Sequence, residues 1–297
     1  MTQKFNLTLS CPDRRGIVYA VTGFLLGEDA NILQAAQFDD KSTGLFFMRV
    51  QFELPTDDSG KPEGQASTGG AELLERIETA FDSIANEFEM NCRFALADRP
   101  IPTILMVSQL GHCLNSLLFR VNAGLLPIEV KAIVSNHRSF YQLAASYNIP
   151  FHHVPVSRET KPAAEEKLLE IFNQEEAELL VLARYMQVLS NDLCQQLAGR
   201  AINIHHSFLP SFKGAKPYQQ AHDRGVKLIG ATAHYVTPDL DEGPIIEQDV
   251  ARADHAMDTA TLTAIGQDTE NVVLARAVKW HAEQRILLNG HKTVVFR

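Results

Sequence analysis

In the N-terminal third of the chain, hydrophobic residues recur in some segments at the spacing of a strand and in others at the spacing of a helix. Residues 5–10 alternate apolar and polar side chains, which predicts a half-buried strand, whereas Ile17, Val21 and Leu25 recur at the spacing of one helix face. The polar stretch 56–70 is rich in Gly, Asp, Ser and Pro and predicts a mobile insertion. Further strands are predicted through Ile32 and Ala36, over 45–54 and over 91–97, with a second amphipathic helix over 71–87. This β-α-β-β-α-β order predicts a ferredoxin-like domain.

The rest of the chain alternates short apolar runs with helical stretches. The apolar runs lie at 103–107, 130–135, 152–156, 179–183 and 201–204, and the helical stretches between them at 113–123, 139–148, 161–173 and 191–197. Such alternation predicts a mostly parallel, Rossmann-like sheet that binds ligands at the carboxyl ends of its strands. A long helix is predicted over 259–288 and a short strand over 292–296. We therefore expect an α/β chain of two domains, 1–97 and 101–297, joined by a short linker.

Composition and net charge indicate which kinds of molecule this chain binds. The formal net charge of -9 and the pI of about 5.7 disfavour nucleic acid or a membrane surface, because both attract clustered Lys and Arg. No apolar run reaches the roughly 18 residues of a membrane span, and the first residues lack the pattern of a signal peptide. The cysteines have no C-x-x-C spacing, which fits reduced thiols better than a disulfide framework or a zinc site. We expect a cytoplasmic protein that acts on small molecules.

Three polar side chains form the candidate reaction centre. Asn203 and His205 stand two apart on a predicted strand, so they face the same side. Asp241 lies in an acidic turn between two later apolar runs, and it can face the other two if these strands share one sheet. A fixed amide dipole, an imidazole that carries a proton and a carboxylate that orients or deprotonates water are the groups needed for attack on a carbonyl.

Each of these residues also has an ordinary structural role. An Asn at a strand end commonly caps a turn, His205 with His206 could be a surface pair or part of a metal site, and an Asp beside Gly is common in turns. Their joint pattern is more specific, because NIHHSFLPSFKGA followed by HYVTPDLDEGPIIEQ resembles the two signatures of the folate-dependent formyltransferase family. The resemblance implies catalytic roles for Asn203, His205 and Asp241, and it extends to His234. The matching loop scaffold consists of Ser207, Leu209, Pro210 and Gly214. The sequence departs from the family at His206, where the transferases usually have Pro.

A second segment resembles the folate-binding part of the same family. The run LARYMQVL at 182–189 is similar to the family segment whose backbone hydrogen-bonds the pterin-like ring. The implied folate contacts are Met186, Gln187, Val188 and Leu189, with Asp239 and Gly243 of the acidic turn closing the other side. The alternative is ordinary core at a strand-to-helix turn. The resemblance implies a folate substrate and no separate cofactor. No metal is expected, since no spacing such as H-E-x-x-H is present.

The N-terminal domain carries a different resemblance. The run CPDRRGIV, which begins at Cys11, and the later pair Asn31-Ile32 are similar to an ACT domain. ACT domains commonly bind amino acids where this loop meets a partner's sheet. The implied contacts for an amino-acid effector are Asp13, Arg14, Gly16 and Asn31. A purely structural dimerisation module is an equal alternative. Both interpretations imply a homo-oligomer.

The loop after the first strand of the second domain separates the candidate reactions. Ribonucleotide formyltransferases hold the substrate phosphate there with a Gly-rich loop, whereas 108–115, SQLGHCLN, has a single glycine. Without a phosphate cradle, the nearest nucleophile is water. The two domains together resemble the formyltetrahydrofolate deformylase family. That resemblance implies hydrolysis of 10-formyltetrahydrofolate to formate and tetrahydrofolate, with Asp241 activating water and Asn203 and His205 stabilising the oxyanion. The alternatives are a formyltransferase acting on a non-phosphorylated amine and an inactive amino-acid sensor.

Overall fold

The chain divides into two compact units. The computed structural model describes residues 2–55, 69–209 and 217–297. The first unit comprises Met1–Arg99 with Glu283–Asn289 and Val294–Arg297, and the second comprises Pro100–Ala282 with Gly290–Thr293. The expected boundaries, 1–97 and 101–297, differ from this division at the C-terminus, where two short segments group with the first unit.

The first unit is an antiparallel sheet with two helices. Its elements are β1 (Thr2–Pro12), α1 (Ile17–Gly27), β2 (Asn31–Asp40), β3 (Leu45–Pro55), α2 (Gly69–Glu87) and β4 (Asn91–Leu96). The strands pair in the order β2-β3-β1-β4. This succession of elements is the predicted ferredoxin-like plan, which is confirmed. Helix α2 begins at Gly69, ahead of its predicted start, and most of the predicted mobile insertion, 56–68, lies outside the described residues.

Alternation along β1 gives this sheet its buried face. Phe5, Leu7 and Leu9 are fully buried, as the two-residue period of a strand requires. Phe81 of α2 is 1% exposed and meets Phe94 edge-on, with ring centroids 5.3 Å apart. Helix α2 is therefore anchored to the sheet through an aromatic cluster.

The second unit is built on one seven-stranded sheet. Its strands are β5 (Ile101–Val107), β6 (Ile128–Ser135), β7 (Phe151–His153), β8 (Leu179–Leu182), β9 (Ala201–His205), β10 (Leu228–Tyr235) and β11 (Ile245–Arg252). Its helices are α3 (His112–Asn122), α4 (Tyr141–Ser146), α5 (Lys161–Gln174), α6 (Asn191–Gln196), α7 (Pro217–Asp223) and α8 (Thr259–Ala282). Across the described ranges, no helix of either unit is long and apolar enough to cross a membrane.

The strand order of this sheet is β11-β10-β9-β8-β5-β6-β7. Strands β9-β8-β5-β6-β7 run parallel, whereas β10 is antiparallel to β9 and β11 is antiparallel to β10. The predicted mostly parallel sheet is confirmed. Strands β5 and β8 are buried at every position, as expected for parallel strands that are covered on both faces. Strand β9 lies where parallel pairing changes to antiparallel pairing.

The C-terminal segment departs from the prediction. The helix predicted over 259–288 is wrong beyond Ala282, because the chain then forms two paired strands, β12 (Ile286–Asn289) and β13 (Lys292–Val295). Gln284 has a φ of 54°, a left-handed conformation that ends a helix. The buried Arg49 guanidinium donates to the carbonyl oxygens of Glu283 and Gln284 at 3.0 and 3.1 Å. These bonds hold the segment on the first unit, and local periodicity does not reveal them.

Phe81→Ala should destabilise the first unit. Removing a fully buried ring leaves a cavity, so we expect the free energy of unfolding to fall by about 3–5 kcal/mol. Tyr19→Ala is the control, because Tyr19 is 82% exposed on α1, and it should change that free energy by less than about 0.5 kcal/mol. Urea unfolding of the full chain, followed by circular dichroism, measures both. Equal stability of the two variants would contradict the assigned core.

Candidate active site

Strands β9 and β10 bring three polar side chains together. Their antiparallel pairing sets His234 opposite Asn203 and Thr232 opposite His205. Asn203, His205 and His234 line one cavity. The Nδ2 atom of Asn203 lies 3.2 Å from Nε2 of His234. Because Nδ1 of His234 donates to the carbonyl oxygen of Tyr235 at 2.8 Å, its Nε2 accepts from the Asn203 amide. The amide group of Asn203 is therefore oriented.

The acidic turn between β10 and β11 brings Asp241 to the same place. Asp241 has a φ of 58°, a left-handed conformation that Asp tolerates better than most residues. Its Oδ2 lies 3.2 Å from Nδ1 of His205, and its Oδ1 lies 3.8 Å from Nε2 of His234. Gly243 allows the turn to pack closely against the end of β10, because any residue with a Cβ would place that atom 1.7 Å from the carbonyl oxygen of Tyr235. Glycine is required for this close approach.

Hydrogen bonding and burial set different protonation states in the cavity. The hydrogen bond with His205 lowers the pKa of Asp241, and burial opposes that effect. The carboxylate is therefore ionised at neutral pH. Burial is the main cause that lowers the pKa of His234. Burial, followed by the charge of Arg184, lowers the pKa of His206 to about 4. An anionic carboxylate thus lies beside two neutral imidazoles.

A cavity of about 240 Å³ opens beside these groups. Its lining residues include Asn203, His205 and Asp241 together with the predicted folate contacts Met186, Gln187, Val188 and Leu189. Asp239 and Gly243, predicted as contacts on the other side, are not among the lining residues. Thr237, Pro238 and Leu240 form that wall instead. Because Met186 and Val188 are 55% and 54% exposed, the cavity offers apolar surface to a ring-shaped ligand.

A buried ionic cluster at the cavity was missing from the predicted site. Arg184 lines the cavity, with Nη1 2.6 Å from Nδ1 of His206 and Nε 3.3 Å from Oε2 of Glu270. Glu270 of α8 is fully buried and also contacts Nε2 of His112 at 2.8 Å and the hydroxyl of Tyr218 at 2.6 Å. A signal for Arg184 was present, because it lies inside the segment that resembles the folate-binding part. Glu270, a single acidic residue in a long helix, gave no such signal.

One group among the described residues has ligand atoms close enough for a metal ion. The potential ligand atoms of His112, Cys113 and Glu270 all lie within 4.8 Å of one another. The Arg184 guanidinium already pairs with Glu270, and it would repel a second cation. Burial, followed by the charge of Glu270, raises the pKa of the Cys113 thiol well above its usual range, which disfavours the thiolate needed for ligation. The chemistry of this group is that of an ion pair, and the expected lack of a metal stays a prediction.

The predicted effector contacts lie on the surface of the first unit. They are Asp13, Arg14 and Gly16 between β1 and α1, and Asn31 at the start of β2. The guanidinium carbon of Arg14 lies 4.4 Å from the centre of the Phe88 ring. Nδ2 of Asn31 donates to Oε1 of Glu53 at 3.0 Å. Two of these side chains thus have neighbours that orient them, and effector binding stays a prediction.

Comparison with known proteins defines the class of the second unit. The formyl transferase family model matches residues 102–278. The crystal structure of glycinamide ribonucleotide transformylase 1 from Symbiobacterium toebii is 27% identical, with a TM-score of 0.62, over 67% of this chain and 95% of that chain. The sheet that carries the cavity therefore has the formyl transferase fold.

Similarity over the whole chain is more specific. The formyltetrahydrofolate deformylase of Corynebacterium sp. strain P-1 is 49% identical over 291 residues, which cover 98% of this chain and 97% of that protein. The crystal structure of the formyltetrahydrofolate deformylase from Burkholderia mallei is 47% identical, with a TM-score of 0.89, over 99% of this chain and 100% of that chain. The chain belongs to the formyltetrahydrofolate deformylase family, and the resemblance inferred from the sequence is confirmed.

Gly243→Ala should destabilise the second unit. The added methyl group would lie 1.7 Å from the carbonyl oxygen of Tyr235, so the turn has to move. We expect the free energy of unfolding to fall by about 1–3 kcal/mol or more. Gly23→Ala is the matched control: a Cβ there has nothing within 4 Å, and in helix α1 it should raise stability by about 0.5–1 kcal/mol. Thermal unfolding of both variants tests this, and an unchanged melting temperature for Gly243→Ala would contradict the close approach.

Proposed function

We propose that this chain hydrolyses 10-formyltetrahydrofolate to formate and tetrahydrofolate. The observation that carries the proposal is the meeting of Asn203, His205 and Asp241 at one cavity, in a chain whose relatives are named for this reaction. A carboxylate 3.2 Å from an imidazole, beside an oriented amide, supplies the acceptor, the donor and the dipole that attack of water on a formyl carbon needs.

The cavity wall supplies the folate contacts in this proposal. The pterin-like ring packs against the exposed apolar side chains of Met186 and Val188, and backbone groups around Gln187 hydrogen-bond its edge. Leu240 covers the ring from the acidic turn. Folate is the substrate, and the reaction needs no separate cofactor.

Asp241 orients the attacking water and takes its proton. The lowered pKa of Asp241 makes it a weak base, so orientation contributes more than basicity. The water oxygen bonds to the formyl carbon, and the electron pair of the carbonyl bond moves to the formyl oxygen. The Asn203 amide and the protonated His205 ring stabilise this oxyanion.

His205 then protonates the leaving group. Collapse of the tetrahedral intermediate breaks the bond between the formyl carbon and N10, and Nε2 of His205 gives its proton to that nitrogen. This Nε2 has no hydrogen-bond partner among the described residues, so no other acceptor in those residues competes for its proton. The Nδ1 proton of His205 stays in its contact of 3.2 Å with Oδ2 of Asp241, so Nε2 takes its new proton from solvent. Collapse gives formic acid, which ionises to formate. Its proton and the one held by Asp241 pass to solvent, so the initial protonation states are restored as formate and tetrahydrofolate leave.

Side chains fill the region in which a transferase would cradle a phosphate. A Cβ on Gly111 would lie 2.3 Å from the Phe140 ring, so the one glycine of this loop already lies against an aromatic side chain. The adjacent His112 imidazole contacts Glu270 at 2.8 Å. These contacts support water, rather than a phosphoribosyl amine, as the nucleophile. Transfer to a non-phosphorylated amine is the alternative, and a dependence of the rate on an added acceptor would reveal it.

We also propose a homo-oligomer in which the first unit binds an amino-acid effector. Exposed apolar side chains support self-association: Tyr19 and Leu26 of α1 are 82% and 79% exposed, and Leu33 and Phe38 lie on the edge strand β2. The resemblance of the loop before α1 to an ACT domain supports an effector. The cysteines are free thiols, which supports the reducing environment of the cytoplasm.

Purified chain treated with a chelator should release formate from 10-formyltetrahydrofolate with no amine added. Asn203→Ala should lower kcat by about a hundred- to a thousandfold because it removes an oxyanion donor, and Asp241→Asn by at least as much. Asp268→Asn, an exposed change on α8, is the matched control and should leave the rate unchanged. Near-full activity in Asn203→Ala or Asp241→Asn would contradict the assigned roles. Formate release only with an added amine would favour the transferase.

Glycine or methionine should bind to the first unit and change the rate of formate release. Isothermal titration measures the heat, and Arg14→Ala should weaken binding at least about tenfold, by loss of a charge-assisted contact. Arg15→Ala, an exposed change at the neighbouring position, is the control. Light scattering on the same samples gives the mass. Absence of both heat and a rate change with both amino acids would exclude these effectors, and a monomer would contradict the proposed oligomer.

A further inference from the structure

Asp241 and His206 both contact the His205 ring. Nδ1 of His205 meets Oδ2 of Asp241 at 3.2 Å, whereas its Nε2 is buried with no partner among the described residues. This contact lies at the edge of the ring and does not cover its faces. His206 covers one face, because its ring is stacked on that of His205 with centroids 4.9 Å apart and planes 19° apart. The stacking therefore restricts rotation of the His205 ring.

His206 is held in turn by Arg184. Nη1 of Arg184 lies 2.6 Å from Nδ1 of His206. A guanidinium only donates, so Nδ1 of His206 is the acceptor and its ring carries a single proton, on Nε2. Burial and the Arg184 charge, which lower the pKa of His206 to about 4, agree with this neutral form. A neutral ring beside His205 spares the protonated His205 the repulsion of a second cation.

Arg184 has two unfavourable features, a left-handed backbone conformation and a buried charge. Its φ of 66° is uncommon for a residue other than glycine. Its side chain is only 8% exposed, so its charge needs a partner, and Glu270 supplies one at 3.3 Å with a side chain that is 1% exposed. Glu270 is itself held by His112 and Tyr218 at 2.8 and 2.6 Å. A continuous set of contacts thus leads from helix α8 to the stacked histidines.

We propose that His206 is a positioning residue for His205, and that Arg184, anchored on Glu270, holds the His206 ring in place and keeps it neutral. This inference rests on the proposed hydrolysis, in which His205 donates to the oxyanion and to the leaving nitrogen. The titratable and charged groups that act on His206 are Arg184, His205, Glu270 and Asp241. The role is specific to catalysis, because it acts through the orientation of one proton donor.

Two substitutions at His206 test separately the role of its stacked ring and the role of its acceptor atom, Nδ1. His206→Asn keeps an acceptor near the position of Nδ1 and removes the stacked ring, so kcat for formate release should fall about ten- to a hundredfold while KM stays within about twofold. His206→Phe keeps a ring and removes the acceptor, and its kcat should fall less. His255→Asn, in an exposed turn before α8, is the matched control and should leave kcat unchanged. An unchanged kcat in His206→Asn, or a loss at least as large in the folded His206→Phe variant, would overturn the proposal.

A spectroscopic measurement tests the same idea without activity. In the full chain labelled with ¹⁵N-histidine, the imidazole nitrogen shifts of His206, assigned by their loss in His206→Asn, should report a proton on Nε2 alone at pH 7. In the double variant Arg184→Met/Glu270→Gln, which removes both charges together, His206 should titrate at a higher pH than in the unmodified chain, because the repulsion by Arg184 is lost while burial still favours the neutral ring. The kcat of this variant should then fall as the pH drops through the pKa of His206, because a second cation forms beside His205. A proton on Nδ1 in the unmodified chain, or an unchanged titration in the double variant, would overturn the proposal. Failure of the unmodified chain to release formate would refute the proposed function and leave this measurement valid.

Discussion

The close approach of Gly243 to the carbonyl oxygen of Tyr235 is the constraint on which the site depends. Because no Cβ intervenes, the acidic turn folds against the end of β10, and Asp241 reaches both His205 and His234. The antiparallel register of β10 on β9 adds the second condition, since it sets His234 opposite Asn203. One backbone contact and one strand register thus assemble groups from two separate parts of the sequence.

Burial then determines which of the assembled groups carry charge. Burial favours the neutral forms of His234 and His206, whereas the hydrogen bond with His205 keeps Asp241 ionised. The two buried ionic side chains behind them, Arg184 and Glu270, are paired with each other, because an unpaired charge there would cost several kcal/mol. The site therefore places a carboxylate against one imidazole while its other two histidines stay neutral, which suits transfer of a single proton.

The predictions that differ from the structure share a physical cause. Hydrophobic periodicity extended the last helix to 288, whereas the left-handed Gln284 and the bonds from Arg49 end it at Ala282. Asp239 and Gly243, predicted as contacts of the ligand, do not line the cavity, whereas their neighbours Pro238 and Leu240 do, and the predicted contacts stay predictions. The direction in which each side chain of a turn points depends on its backbone conformation, and the residue types alone do not specify that conformation.

The sequence by itself determined the succession of strands and helices, the placing of Asn203 and His205 on one face of a strand, and the family. These features are local, because each depends on residues close together in the sequence. A strand has a hydrophobic period of two residues, a helix has one of about 3.6, and a motif spans a few consecutive positions. Only the tertiary structure decided which strands are neighbours, that Asp241 meets His205, and that Arg184 lies between His206 and Glu270. These contacts join residues far apart in the chain, and they form only where packing of the whole sheet brings the elements together.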